Sequence, residues 1–436
     1  MSVVWPRTAD FAAGRLVRLG GVAVDDLVRE HGTPLYVLDR ADVVGRMRAY
    51  REAFGDGVAI TYAAKALCVV GVLQLADAEG LHLDVASGGE LHTAERAGFP
   101  MDRVVLHGNN KSEVELEQAA RLGVGRIIVD SFTELERLSR IGARCDRDFG
   151  VLLRVTPGVT ALTHDFIRTG DDDSKFGFTL SAGLAHQAVE RVIALPHVDL
   201  RGVHCHVGSQ VTATEAFRAA VVALVGLLDD VRERHAVLLD ELNLGGGLGI
   251  AYVDSDAPLD VAEYAEALHT AVRTECDRRS LPLPRLAVEP GRSIVGPAGV
   301  TLYRVGTRKH IPGVRTYVSV DGGMSDNPRP ALYGARYTFA PAGQRDQGRA
   351  AEQVTVVGKH CESGDVLGRD VWLDPGVAEG GLLAVAATGG YAYSMASNYN
   401  RLPRPALVLV GDGTAQLLVR RETLEDVVAL DIPLGS

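Results

Sequence analysis

Short runs of β-branched and aliphatic residues recur along the first two thirds of the chain, and each run ends in small or polar residues. The runs cover residues 58–62, 81–85, 104–107, 126–130, 151–155, 203–207, 239–244 and 286–289. Segments such as 90–98 and 115–123 lie between them and carry apolar residues at spacings of three and four, as on one face of a helix. Eight such strand–helix units in series predict a closed parallel (β/α)8 barrel of the TIM type over residues 41–297. A doubly wound open sheet is the alternative that this pattern leaves.

After residue 297 the hydrophobic pattern changes to alternating runs separated by turn residues. These runs cover residues 301–305, 316–323, 353–358, 382–390 and 406–419, and Asp412-Gly413 interrupts the last of them as a hairpin turn would. We therefore expect an all-β domain, sandwich-like or barrel-like, over residues 298–436. Two further short strand-like runs, at 22–24 and 35–38, place residues 1–40 in the same domain.

Composition and charge narrow the class of protein. The chain has 436 residues, of which 46% are hydrophobic and 23% charged, as in ordinary globular proteins. A net charge of −11 argues against non-specific binding to nucleic acid or to anionic membranes. The longest helical apolar run, 219–228, is too short to span a bilayer, and the first residues carry no signal-peptide pattern. Five scattered cysteines do not suggest a disulfide framework, so we expect a cytoplasmic protein.

Candidate chemistry gathers where the predicted barrel strands end, which is where TIM barrels carry their functional residues. Only five of the 45 basic residues are lysines, and Lys65 directly follows the first strand. A lysine there is often a snorkelling surface residue, but in an apolar barrel mouth its amine can form a Schiff base with an aldehyde. Gly245, Gly246 and Gly247 follow another strand and could cradle a phosphate or simply form a tight turn. A reactive lysine and a phosphate cradle in one barrel mouth together suggest pyridoxal phosphate.

The remaining strand ends fit that cofactor. Glu289 could keep the pyridine nitrogen protonated, and Arg292 could neutralise a phosphate or a substrate carboxylate. His206 offers a ring to stack on the cofactor, and Ser209 offers a hydroxyl for its phosphate. A metal site at His204-Cys205-His206 is disfavoured, because strand alternation separates the cysteine from the histidines and no further ligand spacing is evident. We therefore predict no bound metal.

Three segments of the β domain carry further candidates. Cys361, between His360 and Glu362 in a glycine-bounded turn, is either an inert thiol or a proton donor. Arg329 and Tyr333 lie in the segment DNPRPALY. Tyr391 follows a glycine pair in a segment rich in hydroxyl groups.

Motifs along the whole chain resemble the diaminopimelate decarboxylase family of fold type III, alanine-racemase-like pyridoxal-phosphate enzymes. In order, they are GTPLYVLD, YAAKA, LDVASGGEL, LHGNNKS, HDFIRTGDDDSKFGF, HCHVGSQ, LNLGGGLGI, VEPGRSIV, DGGMSDNPRPALYGA, GKHCESGD and ATGGYAYSMASNYN. One departure is Gly390, where the family often has alanine; we expect it to loosen the loop slightly without changing its role.

The resemblance implies a role for each candidate residue. Lys65 would carry the cofactor as a Schiff base, His206 would stack on its ring, and Glu289 would face its ring nitrogen. The other cofactor contacts implied are Asp84, Ser209, Gly245, Gly246, Gly247, Pro290, Gly291, Arg292 and Tyr391. Substrate contacts implied are Arg292, Arg329, Tyr333, Glu362 and Tyr391, with Cys361 as the proton donor.

The reaction implied is decarboxylation of meso-2,6-diaminopimelate to L-lysine and CO2, the last step of lysine biosynthesis, in a homodimer whose active sites are shared between subunits. One alternative is a decarboxylase of the ornithine or arginine type, which would need an acidic residue to bind a distal amine. A second alternative is a paralogue acting on a carrier-bound or secondary-metabolic amino acid. A racemase is disfavoured by Glu289, since an acid at the ring nitrogen favours a fully delocalised carbanion. A catalytically silent regulatory homologue is the alternative from another class, against which the retention of Lys65 and Cys361 speaks.

Overall fold

The chain divides into two compact units, which are described separately. The computed structural model describes residues 3–158, 174–343, 351–374 and 377–434. The β unit comprises Met1–Gly45, Ile250–Ala257 and Arg292–Ser436, and the barrel unit comprises Arg46–Gly249 and Pro258–Gly291. The assignment of domains to 1–40, 41–297 and 298–436 stays a prediction, and these units group 41–45, 250–257 and 292–297 with the β unit. Most of the motif at 164–178 lies outside the described residues.

The secondary structure alternates as expected in the first two thirds of the chain. The strands are β1 (Asp10–Ala12), β2 (Arg15–Leu19), β3 (Val22–Ala23), β4 (Leu35–Asp39), β5 (Ala59–Ala63), β6 (His82–Val85), β7 (Val104–Leu106), β8 (Arg126–Val129), β9 (Phe149–Thr156), β10 (Phe178–Thr179), β11 (Val198–His204), β12 (Glu241–Asn243), β13 (Arg285–Val288), β14 (Gly299–Ile311), β15 (Arg315–Val320), β16 (Phe339–Ala342), β17 (Glu352–Val357), β18 (Val366–Leu373), β19 (Leu382–Val385), β20 (Ala406–Gly411) and β21 (Thr414–Val419). The helices are α1 (Val24–His31), α2 (Arg40–Phe54), α3 (Val70–Ala78), α4 (Gly88–Ala97), α5 (Glu113–Leu122), α6 (Phe132–Cys145), α7 (Leu184–Ala194), α8 (Glu215–His235), α9 (Val261–Arg279), α10 (Arg292–Val295), α11 (Arg329–Tyr333) and α12 (Leu424–Val428).

The barrel unit is built on a closed sheet of parallel strands. The strands pair in the order β5, β6, β7, β8, β9, β11, β12, β13, and β13 pairs back with β5 through Ala287 and Ala59. The short strand β10 adds to β9 outside this ring. Each of the eight ring strands overlaps one predicted hydrophobic run, so the barrel prediction is confirmed.

Local signals in the sequence explain why the barrel helices begin and end where they do. Ser112 caps α5 in a capping box with Glu115, and the helix ends at Gly123 in the left-handed conformation. Ser87 accepts a hydrogen bond from the Glu90 amide at the start of α4. These caps return the chain to the sheet after short helices, which keeps successive strands adjacent.

The β unit contains a large mixed sheet. Its long strand β14 pairs with β4, β15 and β19, and β4 also pairs in parallel with β20. The N-terminal segment therefore belongs to this sheet, as predicted. Strands β20 and β21 form a hairpin across Asp412 and Gly413, both of which have positive φ, as a type I′ turn requires. In the described part of the chain, every helix is too short or too polar to cross a bilayer.

Candidate active site

Lys65 and Asp84 lie at the carboxyl ends of neighbouring strands. Lys65 is in a 3-10 turn that directly follows β5, and its side chain is 40% exposed. Its Nζ lies 3.5 Å from Oδ2 of Asp84, whose side chain is 1% exposed. Neither carboxylate oxygen of Asp84 has a hydrogen-bond partner among the described residues. A buried carboxylate without donors is costly, so Asp84 favours a cation at the Lys65 position.

The loop after β13 brings Glu289 beside this lysine turn. The Ala63 amide donates a hydrogen bond to the Pro290 carbonyl at 3.0 Å. A Cβ atom on Gly291 would lie 3.0–3.1 Å from Ala63 and Ala66, so a glycine is needed for the close approach. The sequence EPG is therefore explained in part by packing against the turn that carries Lys65.

Glu289 is buried at the centre of a polar cluster. Its side chain is 2% exposed, and Oε1 lies 2.9 Å from Nε2 of His107 and 2.8 Å from Nδ2 of Asn243. Oε2 lies 3.1 Å from Nε2 of His204. Burial alone would raise the pKa of Glu289, but His107 and His204 hold that pKa well below its usual range. Glu289 is therefore an anion inside the barrel mouth.

His206 and the three glycines form the opposite part of this mouth. A Cβ atom on Gly245 would lie 2.3 Å from the Cys205 carbonyl oxygen, and one on Gly246 would lie 2.1 Å from that of Glu289. The Gly246 amide donates to Nδ1 of His206 at 3.3 Å. Burial lowers the pKa of His206 well below its usual range, and the positive charge of Lys65 lowers it further. His206 is therefore a neutral ring. Ser209 follows in the same loop and is partly buried.

The β unit holds a second group, in which two buried arginines meet three tyrosines. Arg292 donates to the Tyr252 hydroxyl, and its guanidinium lies 4.4 Å from the centre of the Tyr391 ring. Arg329 donates to the Tyr337 hydroxyl at 2.6 Å and lies 4.5 Å from the centre of the Tyr252 ring. Arg329 has no carboxylate within 4 Å among the described residues, so its buried charge lacks a counter-ion there.

Cys361 and Glu362 lie on an exposed turn of the β unit. The Cys361 amide donates to Oδ1 of Asn400 at 3.0 Å, and its side chain is exposed. Glu362 accepts hydrogen bonds from the Gly364 amide at 3.1 Å and from the Tyr399 hydroxyl at 3.4 Å, and the first of these chiefly lowers its pKa. Tyr333 is half-buried at the end of α11, the helix that begins at Arg329.

The structure adds residues that the sequence did not single out as site residues. Asn243 contacts Glu289 from β12, and Tyr252 and Tyr337 contact the two arginines. A polar residue at the end of β12 was a readable signal for Asn243, whereas nothing in the sequence paired the tyrosines with the arginines. His107 and Glu289 meet His204 with ligand atoms within 4.8 Å of one another, a grouping that the sequence spacing did not indicate, and the absence of a bound metal stays a prediction.

Comparisons with known proteins agree with this arrangement. Residues 40–296 match the family model described as the pyridoxal-binding domain of pyridoxal-dependent decarboxylases. A diaminopimelate decarboxylase from Bacillus subtilis is 49% identical over 423 residues, which covers 96% of each chain. The chain belongs to the diaminopimelate decarboxylase family. A relative of the same name from Mycobacterium bovis is 46% identical and covers 98% of each chain. A crystal structure of diaminopimelate decarboxylase from M. jannaschii with L-lysine has a TM-score of 0.91 at 32% identity, covering 98% of each chain.

Proposed function

We propose that this protein decarboxylates meso-2,6-diaminopimelate to L-lysine and CO2, the last step of lysine biosynthesis. The observation that carries the proposal beyond family membership is the buried guanidinium of Arg329, which has no carboxylate partner among the described residues. Such a group suits a substrate that brings its own carboxylate. Diaminopimelate has a second amino acid head group that supplies it, whereas ornithine has only an amine at that end.

The residues of the barrel unit fit pyridoxal 5′-phosphate. Asp84 has two buried carboxylate oxygens without hydrogen-bond donors among the described residues, and Glu289 is a fixed anion suited to a protonated ring nitrogen. Lys65 would hold the cofactor, with His206 against its ring. Ser209, Gly245, Gly246, Gly247, Pro290, Gly291, Arg292 and Tyr391 would surround it. When bound, the cofactor supplies an electron sink for the carbanion left by loss of CO2.

The residues of this chain then have separate tasks. Glu289 keeps a proton at the ring nitrogen because its own carboxylate stays ionised. Arg329 and Arg292 bind carboxylate through their planar forks, and Glu362 binds the distal ammonium. Tyr333 and Tyr391 complete the substrate contacts. Cys361 delivers a proton to the carbon that has lost CO2, so that lysine is released.

We infer further that the enzyme is a cytoplasmic homodimer whose two active sites each use residues from both subunits. Cys361 and Glu362 are exposed, which suits residues that complete a site on a second copy of the chain. A two-fold dimer in which each β domain closes the partner's barrel would give both residues a role, and such dimers are the commonest oligomers.

Subunit mixing tests the shared site. Cys361→Ala should lower turnover by roughly 10²–10⁴ while cofactor stays bound, and Lys65→Ala should be inactive. After exchange of the two mutants, hybrid dimers contain one site with both residues intact. Random pairing makes half of the dimers hybrid, so activity should return to about a quarter of wild type. If mass analysis shows exchange and no activity returns, each Cys361 serves its own barrel.

Purified enzyme tests the function directly. It should release CO2 from meso-diaminopimelate and much more slowly from the LL-isomer, lysine or ornithine. Its absorbance should show a cofactor band that disappears in Lys65→Ala, because that amine forms the Schiff base. A chain with the band but a preference for ornithine or for a carrier-bound amino acid would be one of the alternative decarboxylases. A chain without the band would be the silent homologue.

A further inference from the structure

Three nitrogen atoms surround the carboxylate of Glu289. Nε2 of His107 and Nδ2 of Asn243 approach Oε1, and Nε2 of His204 approaches Oε2, all within 3.1 Å. The two imidazole rings lie edge to face with centres 5.0 Å apart. The three groups come from three different strands or strand ends, so the cluster depends on closure of the barrel.

The surroundings of His204 determine which of its two ring nitrogens carries the proton. Its side chain is 1% exposed, and Nδ1 is buried with no hydrogen-bond partner among the described residues. A proton on Nδ1 would therefore be buried and unsatisfied, whereas a proton on Nε2 points at Glu289. Burial lowers the pKa of His204, which agrees with a neutral ring. His204 is thus a neutral donor to Oε2.

Asn243 donates to Oε1, and Nε2 of His107 lies close to the same oxygen. Oδ1 of Asn243 accepts from the Gly245 amide at 2.9 Å, so its amide nitrogen is the group turned toward Glu289. Oε1 has two close nitrogen atoms and Oε2 has one from these residues. A carboxylate oxygen accepts about two hydrogen bonds, so Oε2 keeps capacity for one further donor.

A metal ion is the competing explanation for two histidines and a carboxylate. Three features disfavour it. The histidine nitrogens lie at hydrogen-bond distances from Glu289, the Asn243 amide occupies Oε1 as a donor, and a neutral Nε2–H tautomer of His204 offers that nitrogen no lone pair for a metal.

We propose that His107 and His204 are positioning residues that hold Glu289 as an anion, His204 by a hydrogen bond to Oε2 and His107 by the close approach of its Nε2 to Oε1, leaving Oε2 to accept the proton of a cationic pyridine nitrogen. This inference rests on the proposed function, because it assumes that pyridoxal phosphate binds beside Glu289. It explains how a carboxylate as buried as Glu289 can stay ionised when no arginine or lysine of the described residues forms an ion pair with it. It also assigns a purpose to the HCH segment that requires no metal.

The test compares two substitutions of His204, one that keeps a hydrogen-bond donor and one that removes it. His204→Gln keeps an N–H that can reach Oε2, and His204→Leu removes it. In His204→Leu, burial should raise the pKa of Glu289, so the shared proton moves from the ring nitrogen to the carboxyl group. We expect pyridoxal-phosphate binding by apoenzyme to weaken roughly tenfold to 100-fold, the worth of a hydrogen bond to a charged group. The 15N signal of ring-labelled cofactor should shift to its unprotonated position. His204→Gln should retain the wild-type signal.

Each outcome has a definite meaning. If His204→Leu keeps both the affinity and the protonated 15N signal, the positioning role is wrong. Stoichiometric zinc or another divalent metal in the purified protein, lost together with cofactor binding on chelation, would also overturn it. If His204→Leu does not fold, His107→Gln and His107→Leu test the second histidine, whose Nε2 lies 2.9 Å from Oε1. Failure of the wild-type protein to bind pyridoxal phosphate would instead refute the proposed function itself.

Discussion

Replacing Arg329 by methionine separates the stability of the fold from the binding of substrate. Arg329 is 7% exposed, and among the described residues its guanidinium contacts the Tyr337 hydroxyl and the faces of two tyrosine rings, with no carboxylate in reach. Burying a charge costs several kcal/mol. One hydrogen bond returns about 1 kcal/mol, and a cation–π contact about 1–2 kcal/mol. The free energy of unfolding of Arg329→Met should therefore equal that of wild type or exceed it by about 1 kcal/mol.

Substrate binding should change in the opposite direction. Loss of one partner of a buried charge pair costs about 2–5 kcal/mol, which is about 30-fold to several thousand-fold in affinity. Steady-state assays should show a KM for meso-diaminopimelate raised within that range, while the cofactor absorbance persists.

The matched control is Arg336→Met, which removes an exposed arginine a short distance along the same segment. It should change neither KM nor the thermal midpoint. If Arg329→Met leaves KM unaltered, the guanidinium does not bind the substrate. If the substitution unfolds the protein, the guanidinium serves the fold instead.

Two further predictions concern stability. Gly390→Ala should raise the free energy of unfolding by about 0.4–1 kcal/mol, because a Cβ atom there meets ordinary contacts at 3.6 Å. Gly389→Ala should destabilise the protein strongly, because its Cβ atom would lie 1.9 Å from the Val295 carbonyl oxygen. Urea unfolding of the two variants measures both effects. Burial raises the pKa of Asp326 to about 7, so the folded state favours the protonated acid and loses stability as pH rises from about 4 to 7. The stability of Asp326→Asn relative to wild type should therefore be higher at pH 8 than at pH 5, by about 2–3 kcal/mol, because about two pKa units of the shift are lost in that interval. A pH-independent difference would contradict the assignment.

The barrel could be predicted because its strands are local features. Each is a β-branched run bounded by a capped helix, and parallel pairing follows from the short connections. Strand ends were less accurate: the run at 203–207 predicted a strand past His204, but β11 spans Val198–His204. The pairing with β9 explains the difference, since the alternating residues before Gly202 extend the ladder toward its start. A hydrophobic run in the sequence cannot show where the hydrogen-bonded pairing with the adjacent strand begins or ends.

The arginine–tyrosine group could not be predicted, because its members are far apart along the chain. Tyr252 lies 40 residues from Arg292 and 77 from Arg329 along the chain, and its position depends on residues 250–257 grouping with the β unit. The Thr338 hydroxyl donates to the Tyr252 carbonyl at 3.0 Å, a contact that no periodicity reports. The sequence could indicate which residue types carry charge, but only the folded chain shows which of them lack a counter-ion.

The two buried carboxylates of the barrel mouth, Glu289 and Asp84, differ in the number of nitrogen atoms that lie close to them, and this difference suggests separate roles. Glu289 has three nitrogen atoms within 3.1 Å, so the protein itself stabilises its charge whether or not a ligand is present. Asp84 has no such donors among the described residues, and the Lys65 ammonium at 3.5 Å is its nearest cation there. Asp84 therefore favours a positive charge at the Lys65 amine, so a group bound through that amine should leave a positive charge close by. A cofactor held through a cationic nitrogen at Lys65 would meet that requirement, whereas acylation of the same amine would remove the lysine charge beside Asp84.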